Sequence, residues 1–231
     1  MKAILLRIGI DSNYGALSPV WDDMSYIYFP IYNKNIKEIE RGETRTYEDL
    51  FGDNTKYLPD KIHKKIVHLD PEFETFTYGD VKNKSKILST LEKGDLLVFY
   101  MGGIMQNDSS EKGCFIIGYL DVQSVFVSGN KYLTNYDLNQ IRNEFPNNAH
   151  SISSKTQQNL VIIKGSDRSR KLDRCIKLTD KNNVASNPSY ITKTEYQIEL
   201  GIRRFIIRAV PVKISDNKKL EKLKHLLAIN F

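Results

Sequence analysis

The chain has 231 residues and a mass of 26.7 kDa, with 40% hydrophobic, 10% aromatic and 27% charged residues. Its net charge is +6, and this composition excludes collagen-like, low-complexity and wholly disordered classes. No apolar run approaches the ~18–20 residues of a membrane span, and two cysteines cannot form a disulfide framework. We therefore expect a globular, cytoplasmic protein with one domain over residues 1–231 and no membrane partner.

The N-terminal part of the chain predicts a buried strand followed by a tight turn. Residues 2–10 form a nearly continuous apolar run, which is typical of a strand buried on both faces. The turn-forming cluster 11–15 follows directly. Residues 26–32 are rich in strand formers, but Pro30 indicates an edge or a strand end.

The rest of the chain mixes strands with helices and predicts an α+β fold. Two aliphatic and aromatic runs, 94–100 and 113–127, flank a Gly-rich turn and predict a hairpin. Residues 160–164 predict another short buried strand. Apolar spacing and stop signals predict helices at 47–51, 82–93, 135–145 and 217–229, with Gly94 ending the second of them.

Polar side chains surround the end of the first strand. Arg7, Asp11, Ser12 and Tyr14 place a guanidinium and a carboxylate near a loop that a strand holds rigid. Such a loop can bind a small polar ligand. The alternative is a simple turn, in which Asp11 or Ser12 accepts hydrogen bonds from neighbouring backbone amides.

A His-x-Asp pair and a distant histidine offer a second candidate site. His68 and Asp70 are two residues apart, so both point to one face of an extended segment. With His150 they supply two imidazoles and a carboxylate, a ligand set that suits non-haem Fe(II). Arg168 or Arg170 would then pair with an acidic co-substrate. The alternative is a His–Asp hydrogen bond that orients a loop without a metal.

The most basic segment, residues 164–177, offers a third candidate site. It contains six Lys and Arg residues and two Asp residues. Residues 165–170 come directly after a predicted strand, where backbone amides, hydroxyls and guanidinium groups can face a phosphate. The alternative is a solvated loop whose charges serve solubility. Aromatic residues near the predicted turns provide surfaces on which a base can stack, although strands also favour aromatics in a core.

Familiar catalytic signatures are absent from the sequence. It contains no Walker loop, no Gly-x-Gly-x-x-Gly, no Gly-x-Ser-x-Gly and no His-Glu-x-x-His. Hydrolase, kinase and dinucleotide-binding functions of the common classes are therefore disfavoured.

Several segments together resemble the nucleotide-modification-associated domains, type three. The order of the similar motifs along the chain carries the resemblance. Ile8 departs from the lysine that is usual in the family, and Glu72 replaces an aspartate while keeping its charge. The similar segments are 7–15 with Ser18-Pro19 and Pro30-Ile31, then the His-Leu-Asp-Pro-Glu element 68–72, the Gly-Asp strand 94–100, Asn-Ala-His at 148–150, and Ser-Arg-Lys-Leu at 169–172.

This resemblance implies association with systems that modify bases in DNA, often in prokaryotic and phage operons. It identifies neither a settled reaction nor a cofactor. We accordingly expect a nucleotide or a nucleic acid, DNA above all, as the partner. Phosphate would lie against Arg168, Arg170 and Lys171, and His68 or Asp70 is the expected general base if chemistry occurs. The remaining residues expected to bind the ligand are Arg7, Asp11, Ser12, Tyr14, Glu72, His150 and Ser169.

The central segment also resembles PUA-like barrels, which bind modified bases or RNA. The Gly-Asp turn at 94–95 and the Ile-x-Gly-Tyr pattern at 116–119 carry this similarity. It implies an α+β fold with a curved mixed or barrel-like sheet, PUA-like in part, and flanking helices. Two other functions stay open: an Fe(II)-dependent base oxygenase at His68, Asp70 and His150, and a non-catalytic adaptor whose basic surface meets an acidic partner protein.

Overall fold

The computed structural model describes residues 1–33, 44–81, 84–109, 111–129, 133–151, 158–181, 190–206 and 210–229. Strands and α-helices are both present in these ranges. The strands are β1 (Ala3–Ile8), β2 (Ser18–Val20), β3 (Thr77–Asp80), β4 (Leu96–Met105), β5 (Lys112–Val127), β6 (Val161–Gly165), β7 (Arg170–Lys177), β8 (Thr179–Lys181), β9 (Tyr190–Thr192) and β10 (Val212–Ile214). The helices are α1 (Tyr47–Phe51), α2 (Asp60–His63), α3 (Ser85–Leu88), α4 (Asn135–Glu144), α5 (Thr194–Glu199) and α6 (Asn217–Leu226).

A mixed sheet of eight strands organises the molecule. Its order is β10-β1-β4-β5-β6-β3, with β2 also beside β4 and β7 also beside β5. β1 runs parallel to β4, whereas β4 and β5 form the predicted antiparallel hairpin. The α+β fold with a mixed sheet and flanking helices is thus confirmed. The described strands do not close into a barrel. The similarity to PUA-like barrels is therefore limited to the bend of the sheet.

The long strand β5 joins two parts of this sheet. Its first half pairs with β4 and β7, and its second half pairs with β6. The pairing register shifts between Ile116 and Gly118 and again between Val122 and Ser124, and such irregularities bend a strand. Gly118 permits the close approach of β7, because a Cβ there would lie 2.6 Å from the Arg170 carbonyl oxygen.

The core lies on both faces of β1, because successive side chains of a strand point to opposite sides. Ile4, Leu6 and Ile8 belong to a first hydrophobic cluster, which also contains residues of β4 and β5. Ala3 and Leu5 belong to a second cluster, which includes the buried leucines of α6. Apolar side chains therefore cover both faces of β1, as the sequence predicted for a buried strand.

A third hydrophobic cluster attaches the segment that precedes β3. It packs α1 and α2 against the chain around Phe29. Tyr47 Oη donates a hydrogen bond to the Pro30 carbonyl at 2.5 Å. The backbone N–H of His68 donates to the Ile31 carbonyl at 2.8 Å. These contacts hold residues 68–70 beside residues 31–32.

The predicted helices differ in how much of their range is helical. The helices at 47–51, 135–145 and 217–229 are confirmed. Of the range 82–93 only Ser85–Leu88 is an α-helix, and residues 82–83 lie outside the described part. Gly94 has a φ of +86°, as expected of the residue that stops this segment. None of the helices in the described ranges has the length and apolar character needed to cross a bilayer.

Candidate functional site

His68, Asp70 and His150 lie together in the folded chain. Their candidate ligand atoms are all within 4.8 Å of one another. His150 Nε2 is 3.4 Å from Asp70 Oδ2. The two imidazole rings meet edge to face, with centroids 5.0 Å apart. The structure therefore brings the two imidazoles and the carboxylate of the sequence analysis into one cluster, called the His–Asp–His cluster below.

Asp70 is held by two hydrogen bonds, one to its carboxylate and one to its backbone carbonyl. Its Oδ1 accepts a hydrogen bond from the Gly79 backbone N–H at 2.9 Å. Its backbone carbonyl accepts one from Tyr28 Oη at 3.2 Å. The Asp70–Pro71 peptide bond is cis. With Oδ1 engaged by β3, the other carboxylate oxygen faces His150.

His150 is positioned by two residues whose role sequence reasoning missed. Asn148 is fully buried, and its Oδ1 accepts a hydrogen bond from the His150 backbone N–H at 3.0 Å. Its Nδ2 donates to Thr77 Oγ1 at 3.0 Å. Gly79 leaves room for the ring, since a Cβ there would lie 2.6 Å from His150 Cδ2. The only sequence signal was the position of Asn148 inside the 148–150 motif.

Burial decides the charge states within the cluster. Burial, together with the smaller effect of nearby His150, lowers the pKa of His68 to about 3. Burial raises the pKa of Asp70, while the hydrogen bond from His150 opposes that rise. His68 is therefore a neutral imidazole at pH 7, which is the form that accepts a hydrogen bond or binds a metal.

Glu72 closes the turn that leads from the cluster into β3. Its carboxylate accepts hydrogen bonds from the backbone N–H groups of Glu74 and Thr75 and from the Thr75 hydroxyl. Thr77 Oγ1 lies 3.5 Å from the same carboxylate. The predicted ligand role of Glu72 stays a prediction, and the observed role of its carboxylate is to order residues 72–77.

A cavity of about 610 Å³ lies against the same two segments that form the cluster. Leu69 and Pro71, which alternate with His68 and Asp70, line it together with residues 146–147. Its volume falls within the ~300–1,000 Å³ that is usual for small-molecule sites. The chemically informative lining residues are the aromatics Tyr28, Phe51 and Phe73, the cations Arg45 and Lys171, and the acids Glu72 and Glu74.

Arg7 does not share this region. It points to the same face of β1 as Leu5, where its Nη1 donates a hydrogen bond to Tyr190 Oη at 3.1 Å. A Cβ on Gly102 would lie 2.7 Å from Arg7 Nη2. Asp70 instead bonds to Tyr28, a residue of the first cluster on the other face. The alternation of β1 therefore places the Arg7 guanidinium on the face opposite to the one against which Tyr28 packs, and the ligand role of Arg7 stays a prediction.

The turn after β1 contains the backbone hydrogen bond expected of a simple turn, and the ligand roles of Asp11, Ser12 and Tyr14 stay predictions. The Asp11 side chain accepts a hydrogen bond from the Asn13 backbone N–H at 3.0 Å, and it caps the short 3₁₀ turn Ser12–Tyr14. The Tyr14 ring packs edge to face on Tyr32, with centroids 5.2 Å apart. Asp11, Ser12 and Tyr14 are not among the residues that line the cavity.

The basic loop after β6 is closed by an ion pair. Arg168 Nε and Nη2 lie 3.0 and 2.9 Å from Asp121 Oδ2. Ser169 Oγ accepts a hydrogen bond from the Asp121 backbone N–H at 3.1 Å. Arg170 is exposed on β7, and Lys171 reaches the cavity. Sequence reasoning missed Asp121, whose partner loop is distant in the chain.

The described strands form a mixed sheet, and a partly buried His–Asp–His cluster lies beside an aromatic and cationic cavity. These features define an α+β protein with a candidate ligand site. The chain belongs to the family described as nucleotide modification associated domain 3, whose family model matches residues 2–217. The resemblance found in the sequence is thereby confirmed, and with it a relation to nucleotide-modification systems. Neither a curated protein nor a solved structure matches the chain.

Proposed function

We propose that this protein binds a nucleotide or a nucleic-acid strand for a system that modifies DNA bases. The observation that carries the proposal is the cavity, whose lining joins aromatic rings to two cationic side chains. Membership of the family supports the same class of ligand. A DNA partner, a prokaryotic or phage source, a cytoplasmic location and a single domain over residues 1–231 belong to this proposal.

The aromatic part of the cavity suits the flat face of a base. Phe51 and Phe73 both line it, and each is already supported by a neighbouring ring. Stacking of a base on an aromatic side chain contributes ~1–3 kcal/mol and tolerates any base. The amide of Asn147 and the carboxylate of Glu74 are the polar groups nearby that can read a base edge.

The cationic part of the cavity suits a phosphate group. Lys171 and Arg45 both line it. Arg168, by contrast, places its guanidinium on the buried carboxylate of Asp121. We therefore assign the main phosphate contact of the basic segment to Lys171. Arg170 is its neighbour on β7 and points to the other face, so its predicted phosphate contact lies outside this cavity. Arg168 acts on this binding through the position of the loop.

A charge substitution at the cavity tests the proposal. Lys171→Ala should weaken binding of a short single-stranded oligonucleotide by about 10- to 150-fold, because a hydrogen bond to a charged group is worth ~1.5–3 kcal/mol. The slope of log affinity against log salt should also fall by ~0.7 for the lost phosphate contact. Fluorescence anisotropy at several salt concentrations measures both quantities, with nucleoside monophosphates as competitors.

Arg174→Ala is the matched control for this substitution. It removes one positive charge from the same strand, β7, but Arg174 pairs with Asp23 and does not line the cavity. It should leave affinity and salt slope near those of the unmodified chain. If the two substitutions lower oligonucleotide affinity equally, the binding depends on the overall positive charge of the surface and not on a phosphate contact in the cavity. Absence of any nucleotide or oligonucleotide binding at low salt would favour the adaptor with an acidic protein partner instead.

The Fe(II)-dependent base oxygenase is a second candidate function. The observation that favours it is the meeting of its three expected ligands, His68, Asp70 and His150. An oxygenase would consume dioxygen in the presence of Fe(II), a reducing agent, an acidic co-substrate and a base-containing substrate. Oxygen uptake that needs all of these and is lost in Asp70→Asn would support it.

A further inference from the structure

We propose that His68, Asp70 and His150 bind one divalent first-row transition-metal ion. The proposal stands on the geometry of the His–Asp–His cluster alone. It requires no nucleotide in the neighbouring cavity and no particular reaction, so it goes beyond the proposed nucleotide binding, while the candidate oxygenase function depends on it.

The spacing within the cluster is that of ligands around one ion. Two ligand atoms that each lie ~2.1 Å from an ion are about 3.0 Å apart at an octahedral angle and about 3.4 Å apart at a tetrahedral one. His150 Nε2 and Asp70 Oδ2 are 3.4 Å apart. All three ligand atoms lie within 4.8 Å of one another, so small side-chain rotations bring the third into range.

The same distance is long for the His150–Asp70 hydrogen bond. A charge-assisted N–H···O bond has a length of ~2.7–2.9 Å. The observed 3.4 Å is longer. A second imidazole would also be superfluous to a bond whose task is to orient a loop, yet the ring of His68 meets that of His150 with centroids 5.0 Å apart.

The surroundings of the cluster resemble the outer shell of a metal site. Metal sites generally fix each ligand by a hydrogen bond to its remote atom or its backbone. Asp70 Oδ1 is held by the Gly79 N–H, which leaves Oδ2 to face the ion. Asn148 fixes the backbone of His150 and is itself tied to Thr77. Gly79 removes the side chain that would displace the His150 ring.

The ligand types select the class of ion. Two imidazole nitrogens and one carboxylate oxygen suit Zn²⁺, Fe²⁺, Co²⁺ and Ni²⁺, whereas Mg²⁺ and Ca²⁺ prefer oxygen ligands throughout. Three protein ligands leave coordination positions for water or substrate. The His150 side chain is 15% exposed and His68 is also partly exposed, so solvent reaches the imidazole side of the cluster.

Metal titration of the full chain tests the site. The protein is stripped with a chelator, dialysed, and titrated with Zn²⁺ and with Co²⁺ in the absence of nucleotide. Calorimetry gives the stoichiometry and affinity, and the visible spectrum of Co²⁺ reports its coordination. We expect one equivalent of each ion to bind, with Mg²⁺ in excess failing to compete.

Substitutions locate the bound ion. His68→Ala, His150→Ala and the isosteric Asp70→Asn should each weaken Zn²⁺ binding by about 100-fold or more. His63→Ala and His225→Ala remove the other two histidines of the chain, which lie outside the cluster, and should leave affinity unchanged. Circular dichroism and thermal melting of the metal-free variants show whether each one folds, and Asp70→Asn keeps the side-chain volume.

Two results would overturn the proposal. One is a folded, stripped protein that binds no Zn²⁺ or Co²⁺. The other is binding that survives all three cluster substitutions and is lost with His63→Ala or His225→Ala. Nucleotide binding is measured separately on the stripped protein, so that failure of the cavity proposal and failure of the metal proposal give different results.

Discussion

Buried polar residues of this protein connect segments that are distant in the chain through hydrogen bonds and ion pairs. Asp121 receives Arg168 and the hydroxyl of Ser166, and Asn148 joins His150 to Thr77. An unsatisfied buried polar group costs ~1–3 kcal/mol, so the bonds to Asp121 Oδ2 and to the Asn148 amide stabilise these connections. Of the residues predicted to bind ligand, Ser169 is engaged in such a contact with Asp121, whereas Glu72 bonds within residues 72–77, and the binding roles of both stay predictions.

Gly79 offers a test of the packing around the His–Asp–His cluster. In Gly79→Ala the new Cβ would lie 2.6 Å from His150 Cδ2 and 2.9 Å from Asn148 Oδ1. The ring must move, so we expect a loss of ~1–3 kcal/mol in unfolding free energy together with weaker Zn²⁺ binding. Urea denaturation and calorimetry measure the two effects.

Gly94→Ala is the control for this substitution. Its φ of +86° disfavours alanine, but a Cβ there would have no neighbour within 4 Å. It should lower the unfolding free energy by ~1 kcal/mol through backbone strain and leave Zn²⁺ affinity unchanged. Parallel losses of metal affinity in both variants would contradict a local role for Gly79.

At the scale of elements, capping and apolar spacing explain where helices form. Thr46 and Thr134 each form a capping box at the start of α1 and α4, and the Asp216 side chain caps α6. Leu220 and Leu223 of α6 are buried in the second hydrophobic cluster. Apolar spacing and stop signals predicted the helices at 135–145 and 217–229, and the capping residues are further local signals in the sequence. Of the range 82–93, where a helix was expected, the segment Ser85–Leu88 is an α-helix.

The cap of α6 supports a second stability prediction. Asp216 accepts a hydrogen bond from the Lys219 backbone N–H at 3.0 Å, so Asp216→Ala should lower the unfolding free energy by ~1 kcal/mol. Leu223→Ala, which leaves a cavity in the second cluster, should cost ~2–5 kcal/mol. Exposed Lys222→Ala in the same helix should stay within ~0.5 kcal/mol of the unmodified chain. Urea denaturation that ranks the three variants otherwise would contradict this account of α6.

At the scale of the whole molecule, the sheet separates two hydrophobic clusters, and each contains one cysteine. Cys175 belongs to the first cluster and Cys114 to the second. Burial raises the pKa of both thiols, that of Cys175 to about 12. A raised pKa leaves little thiolate near neutrality, and the thiolate is the reactive form.

Thiol reactivity therefore reports the integrity of the whole fold. Neither cysteine should react with Ellman's reagent at pH 8 while the chain is folded, and both should react once it is unfolded in guanidinium chloride. Rapid release of one equivalent from the native protein would show that one face of the sheet is open to solvent. Rates for Cys114→Ser and Cys175→Ser would identify which face it is.

The family and about half of the described elements were determined by the sequence itself, whereas residues 26–32, expected as a strand, form only isolated bridges. Apolar runs, caps and Gly stops act over a few neighbouring residues, so β1, the β4–β5 hairpin and α6 follow from local patterns. The spacing of His68 and Asp70 also placed both on one face of an extended segment. The order of short motifs along the chain indicated the family, which matches residues 2–217.

Only the tertiary structure decided which candidate residues meet. His150 joins His68 and Asp70 because β3 and the segment after α4 come together through Gly79 and Asn148. The Arg7 guanidinium points away from the His–Asp–His cluster, because strand pairing sets the face to which it points. Asp121, supplied by β5, engages Arg168, while Lys171 reaches the cavity. These outcomes depend on contacts between segments far apart in the chain, and no local pattern of residues encodes them.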